Sequence, residues 1–183
     1  MSLENIYFCH PKHQIMEQIQ PSLPLSQRKA DYFFIIIFSL FVFTSIVSDA
    51  ISGLAIPLSP NHPNFWVRGN YWYAYQCDPL ILTPPVWMQF VAGLSGFVYG
   101  PFYILLVYAL VRGKNWIRLP SVMYATAISI LTGVVVFGVE FFGEPQWRCQ
   151  NPAKFLAFNL PYVIIPLLLL VRMRKPMPFT RKW

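Results

Sequence analysis

Charge is scarce in this chain. Only 11% of its 183 residues are charged, against 56% hydrophobic, whereas a soluble globular protein carries about 25% charged residues. A chain of this length cannot bury so much apolar surface against itself. The composition therefore excludes a soluble globule and points to lipid as the solvent. Acids are scarcer still, seven against fourteen Lys and Arg. The three histidines, His10, His13 and His62, all fall outside the apolar stretches. Nothing in the pattern calls for a metal or a cofactor. There is no internal repeat and no low-complexity tract. The opening MSLENIYFCHPKHQIMEQIQPSLPLSQRKA is polar, proline-broken and carries acids. It lacks the apolar stretch of a signal peptide and reads as a flexible tail over residues 1–30.

Long apolar runs, by contrast, are plentiful. Four stretches approach the ~20 residues that span a bilayer: about Tyr32 to Ile56, Trp87 to Val111, Ser121 to Phe142, and Phe155 to Val171. The expectation is an all-α membrane protein, a four-transmembrane-helix bundle over residues 31–176, followed by a short basic tail, 177–183. Gly100-Pro101 and Pro161 mark kinks, because proline frees a carbonyl inside a helix. Such groups need a neighbour or a polar cavity, although proline is also ordinary content of membrane helices. The longest connection, Pro57 to Pro85, contains FWVRGNYWYAYQCDPLILTPPVW. Aromatics at this density suit a membrane interface or the rim of a pocket.

Lys and Arg set orientation. Eleven of the fourteen fall in the N-terminal tail, the loop after the second span and the C-terminal tail; Arg68, Arg148 and Lys154 fall on the other side. Both termini are expected in the cytoplasm, as an even number of spans requires. The positive net charge is then a cytoplasmic excess and not a nucleic-acid face. Cys77 and Cys149 fall in lumen-side loops, where a disulfide between them can persist. Two free thiols are the alternative.

Asp49, Asp78, Glu140 and Glu144 map to the luminal half or its loops. Asp49 stands about seven residues inside its predicted span, roughly 10 Å deep, where an ionised group costs on the order of 3 kcal/mol. No Lys or Arg in a span answers it. Its partner must be a carboxyl, a hydroxyl or a ligand. Two carboxyls in one pocket hold a proton between them. Such a pair accepts an amine or protonates an apolar substrate. Ser45 lies one turn before Asp49 on the same face, and Thr132, Asn159 and Tyr162 lie within later spans. These polar groups fit a pocket wall or plain interhelical hydrogen bonding. Trp72, Tyr75 or Tyr162 would steady a cation through its ring face.

Three segments, WYAYQCDPLILTPPVW, YGPFYILLVYALVRGKNWIRLP and FNLPYVIIPLLLL, resemble the EXPERA domain, a four-helix membrane domain. They are most similar to its sigma-2 receptor type and more distantly to the emopamil-binding sterol Δ8-Δ7 isomerase branch. The resemblance implies an endoplasmic reticulum protein whose pocket opens toward the membrane. It implies Asp49 as the carboxylate that pairs a ligand amine, Asp78 as its support, Tyr162 in the pocket wall, and sterols as the ligand class. The isomerase branch places a histidine at Ser45 and a glutamate in the second span, where this chain reads VAGLSGFVYGP; Asn159 matches that branch's span-four asparagine. Two functions follow: a protein that binds a sterol-like or cationic lipophilic ligand through Asp49 and Asp78, or an isomerase or cyclase of sterol or terpenoid intermediates with the same aspartates as acid and base. Its partners are the bilayer and that small molecule, and a homodimer is compatible with the pattern.

Overall fold

A computed structural model describes residues 21–180, whose regular structure is helical with no strand among them. Most of the expected N-terminal tail, and residues 181–183, lie outside the described residues. The chain runs through α1 (Lys29–Gly53), α2 (Phe65–Cys77), α3 (Pro79–Leu82), α4 (Val86–Arg112), α5 (Asn115–Phe142) and α6 (Pro152–Arg172). Of these, α1, α4, α5 and α6 are long and apolar enough to cross a membrane. Their many exposed Phe, Leu and Ile side chains have lipid as their solvent.

The first span ends earlier than its composition predicts. It stops at Gly53, and Ala55 turns the chain with a left-handed φ of 52°. Asp49 is thus one turn from the helix end, about 6 Å along the axis. The aromatic connection is also more ordered than expected. It folds into α2, opened by Asn64, whose side chain accepts from the Trp66 amide at 2.8 Å, a standard N-cap. Pro79 then starts the short α3, a position where its missing N–H costs nothing.

Helices α1 and α4 lie side by side, as do α5 and α6. The first pair approaches closely at its loop end. A Cβ on Gly53 would stand 2.6 Å from the Gly93 Cα, so only glycine permits this spacing. Phe38, Tyr103, Leu106, Leu110 and Leu169 fill the main core, and a second cluster joins Cys77 and Leu80 to Met88, Val136 and Phe155.

At the end carrying Lys29 and Arg172, a buried ion cluster closes the bundle. Asp31 is fully buried and receives Arg28 and, at 2.6 Å, Arg172. Arg28 also donates to the Leu110 carbonyl at 2.7 Å, and Arg172 to the Pro178 carbonyl at 2.9 Å. The buried Phe179 ring lies 5.0 Å from each guanidinium. Arg28 and Phe179 thus pack with Asp31 and Arg172 in one cluster.

Three spans change their winding at one level. Ser45–Asp49, Ser95–Tyr99 and Leu131–Val136 are π-helical, and α6 is interrupted at Leu160 before Pro161. Pro101 accounts for the second, since its ring cannot bond the carbonyl one turn back. Wide turns rotate side chains out of the α register and are frequent at functional sites. Here each contributes residues to one cavity.

Candidate functional site

Asp49 sits in the wide turn of α1, which aims it at α4. The Ser95 hydroxyl donates to its Oδ2 at 2.6 Å. Ser45, fully buried, lies 3.2 Å from Ser95. Ser95 has one proton and gives it to the carboxylate, so Ser45 donates to Ser95. Two hydroxyls thus serve Asp49 where no cation among the described residues does. Ser95 was not among the residues expected from sequence; a small polar residue between Gly93 and Gly96 gives little signal until the helices cross.

Asp49 faces two connected spaces. An inner cavity of about 90 Å³ is lined by Asp49, Asp78, Ser95, Thr132, Asn159 and Tyr162, among apolar neighbours. A lateral cleft of about 430 Å³ opens between α1, α2 and α6, with Phe43, Trp66, Tyr73 and Phe158 on its walls. Asp49, Ile81, Asn159 and Tyr162 line both. Tyr162 is held by the Thr44 hydroxyl and stacks on Phe41 with ring centroids 4.3 Å apart.

The second carboxyl enters from below. Asp78 is only 2% exposed. The Tyr73 hydroxyl donates to its Oδ2 at 3.1 Å, and the Asn159 amide donates to that hydroxyl at 2.6 Å. Its other side meets Glu140 of α5, which is fully buried. Burial pushes the Asp78 carboxyl above its ordinary range, the bonds to Glu140 and Tyr73 opposing. Burial also raises the Tyr73 phenol, which the neighbouring Asp78 raises further, so Tyr73 keeps its proton.

Of the residues singled out from sequence, Asp49, Asp78, Ser45, Thr132, Asn159 and Tyr162 converge here. Trp72 and Tyr75 do not: they are 51% and 58% exposed. The buried face of α2 is Val67, Asn70, Ala74 and Cys77, a helical repeat that leaves Trp72 and Tyr75 on the opposite side and brings Tyr73 inward. Cys77 and Cys149 are free thiols, both packed in the second cluster. Burial raises both thiols.

A family model for the EXPERA domain (EXPanded EBP superfamily) matches residues 65–173, more than half of the chain. The chain belongs to the EXPERA family. It is 26% identical over 147 residues to Sigma intracellular receptor 2 of Xenopus tropicalis, a match covering 75% of this chain and 85% of that relative. With four membrane-length helices, this EXPERA member is a multi-pass membrane protein similar to the sigma-2 type. The stretch matched by the family model holds Asp78, Glu140, Asn159 and Tyr162, while Ser45 and Asp49 precede it.

Proposed function

We propose that this protein is an endoplasmic reticulum membrane protein that binds a sterol-like or cationic lipophilic ligand inside the bilayer. Asp49 receives the ligand's polar or cationic group, Asp78 supports it, and both termini face the cytoplasm. One observation carries the reading. Asp49 lies where a membrane-facing cleft meets an inner cavity, half-buried, with only serine hydroxyls for partners. A carboxylate in that position is stabilised fully by a cation from outside. The apolar cleft walls accept a hydrocarbon skeleton, and the Tyr162 ring stands beside the carboxylate for a cation to rest against. Likeness to the sigma-2 type supports this reading, and the family's sterol link supports the ligand class.

A second reading has its own observation. Tyr73 donates to Asp78, and Asp78 and Glu140 lie buried as neighbours with no cation beside them among the described residues, as a site that protonates an alkene or epoxide would need. A pocket shaped for a carbocation also binds an ammonium, its stable mimic. The absence of a histidine at Ser45 favours binding over isomerisation.

One experiment separates the two. Purified protein in lipid nanodiscs is incubated with sterols, terpenoids and cationic amphiphiles, and the bound and free lipids are compared by mass spectrometry. Retention of a ligand without new product supports the binding protein. A product that disappears in Asp49→Asn puts the isomerase or cyclase first. Full-strength binding by Asp49→Asn, with no product from wild type or variant, contradicts both.

A further inference from the structure

Glu140 is the most isolated charge-bearing group among the described residues. Neither of its carboxyl oxygens has a donor within hydrogen-bond geometry, and Asp78 Oδ1 has none either. The Cys149 amide donates to the Glu140 main-chain carbonyl at 3.1 Å and leaves both carboxyl oxygens without a donor. Three orphaned oxygens on two buried carboxyls cannot all be anionic, since each unpaired buried charge costs several kcal/mol. The two side chains nevertheless face each other as hydrogen-bond partners. A bond between two carboxyl oxygens exists only if one of them carries the proton.

The surroundings offer no alternative counter-charge. The titratable groups about the pair are Asp49 from α1, Tyr73 and Cys77 from α2, Cys149 from the loop before α6, and Lys154 from α6. Lys154 is the one cation of the set; it is exposed and donates to Gln76 at 3.2 Å. Glu144 and Arg148, on the segment packed against α3, are exposed and bond Gln146 and the Gly143 carbonyl. No other group among the described residues brings a positive charge to the pair. The pair reaches the pocket through Asp78, which lines the inner cavity, and through Tyr73, which lines the lateral cleft and donates to Asp78.

We propose that Asp78 and Glu140 hold one proton in common, and that this proton is released when a cation occupies the pocket, which makes ligand binding proton-coupled. The pair goes from a hydrogen-bonded carboxyl–carboxylate, with one negative charge, to two carboxylates. Its proton passes to water in the inner cavity, which Asp78 itself lines, while the Tyr73 hydroxyl goes on donating to Asp78. No oxidant or other reactant is involved. The coupling rests on the pocket binding a cation; the shared proton does not, and the two are tested separately.

Infrared spectra of ligand-free protein test the pair directly. Wild type is expected to show the carbonyl stretch of a buried carboxylic acid, and Glu140→Gln and Asp78→Asn each to shift or lose it, since the partner that shares the proton has gone. Retention of that band unchanged in both variants overturns the pair, whatever the ligand result. The coupling is tested with a quaternary ammonium amphiphile, which cannot itself titrate. Wild-type affinity is expected to rise with pH, approaching about tenfold per unit for one linked proton. Glu140→Gln, which keeps the shape of the side chain, is expected to flatten that slope while still binding. An equal slope in wild type and Glu140→Gln overturns the coupling. If wild type binds no cation at any pH, the pocket reading and the coupling fall together, and the infrared result still decides the shared proton. Circular dichroism and thermal unfolding of each variant confirm that it is folded.

Discussion

Asp31 and Asp49 are both aspartates of α1, five turns apart, and they are treated in opposite ways. Asp31 is enclosed by Arg28 and Arg172, whose remaining donors reach backbone carbonyls and whose faces cover Phe179. Every charge there has an opposite charge and a hydrogen bond. Asp49, Asp78 and Glu140 sit at the other end with hydroxyls, an amide and each other. The first arrangement holds the ends of α1, α4 and α6 and the C-terminal segment in one register. The second leaves negative charge uncompensated beside an empty space. A fold that can place two arginines around one carboxylate has, among the described residues, placed none near the others, and that contrast marks the pocket.

Breaking the satisfied end has the largest effect. Asp31→Asn leaves two buried guanidiniums without their anion and is expected to cost roughly 3–5 kcal/mol, read as a fall in melting temperature in detergent. Phe179→Ala removes a fully buried ring and both cation–π contacts and is expected to cost about 3 kcal/mol, read the same way. Equal melting temperatures for wild type and Asp31→Asn would show that the clasp is ornamental.

The pocket end responds to pH instead. Asp78 titrates higher in the folded protein than its ordinary 3.8, so folding takes up a proton. The stability this provides is whole below that ordinary value and is lost as pH rises through the folded one. Wild-type unfolding is expected to become easier with rising pH, by up to about 1.4 kcal/mol per pH unit for one proton. Asp78→Asn is expected to flatten that dependence, and a slope identical to wild type would place the titration elsewhere. The smallest effect belongs to the outward face of α2. Trp72→Ala and Tyr75→Ala are expected to change ligand affinity by less than about 0.5 kcal/mol, whereas Tyr73→Phe, which removes a hydroxyl bonded to Asp78, weakens it more. Titration of all three variants with one ligand ranks them.

The four spans were legible because a bilayer imposes a length and a composition that ordinary propensity does not. Their ends were less so, since Leu54, Ala55 and Ile56 are as apolar as the helix they leave. Asp49, Asp78, Asn159 and Tyr162 were legible as costly polar groups or as matches to a family pattern. α2 was missed because its Tyr and Trp residues hide the inward repeat Val67, Asn70, Ala74 and Cys77, and with it the inward Tyr73. Glu140 was legible only as an acid of the luminal half; the turn at Asp78 and α3 carries a second carboxyl to it. The role of Asp31, first residue of the expected bundle, was hidden as well, its partners Arg28 and Arg172 being brought together by a packing that sequence distance conceals.

The central claim is that Asp49 is kept for a ligand and not for the fold. It is tested by measuring melting temperature and affinity for a cationic amphiphile on the same preparations of wild type and Asp49→Asn. The prediction is an unchanged or higher melting temperature, because an uncompensated charge has gone, together with affinity lower by about 10- to 100-fold, the loss of a charged hydrogen bond. A variant that melts several degrees lower and still binds the amphiphile at full strength would contradict the claim.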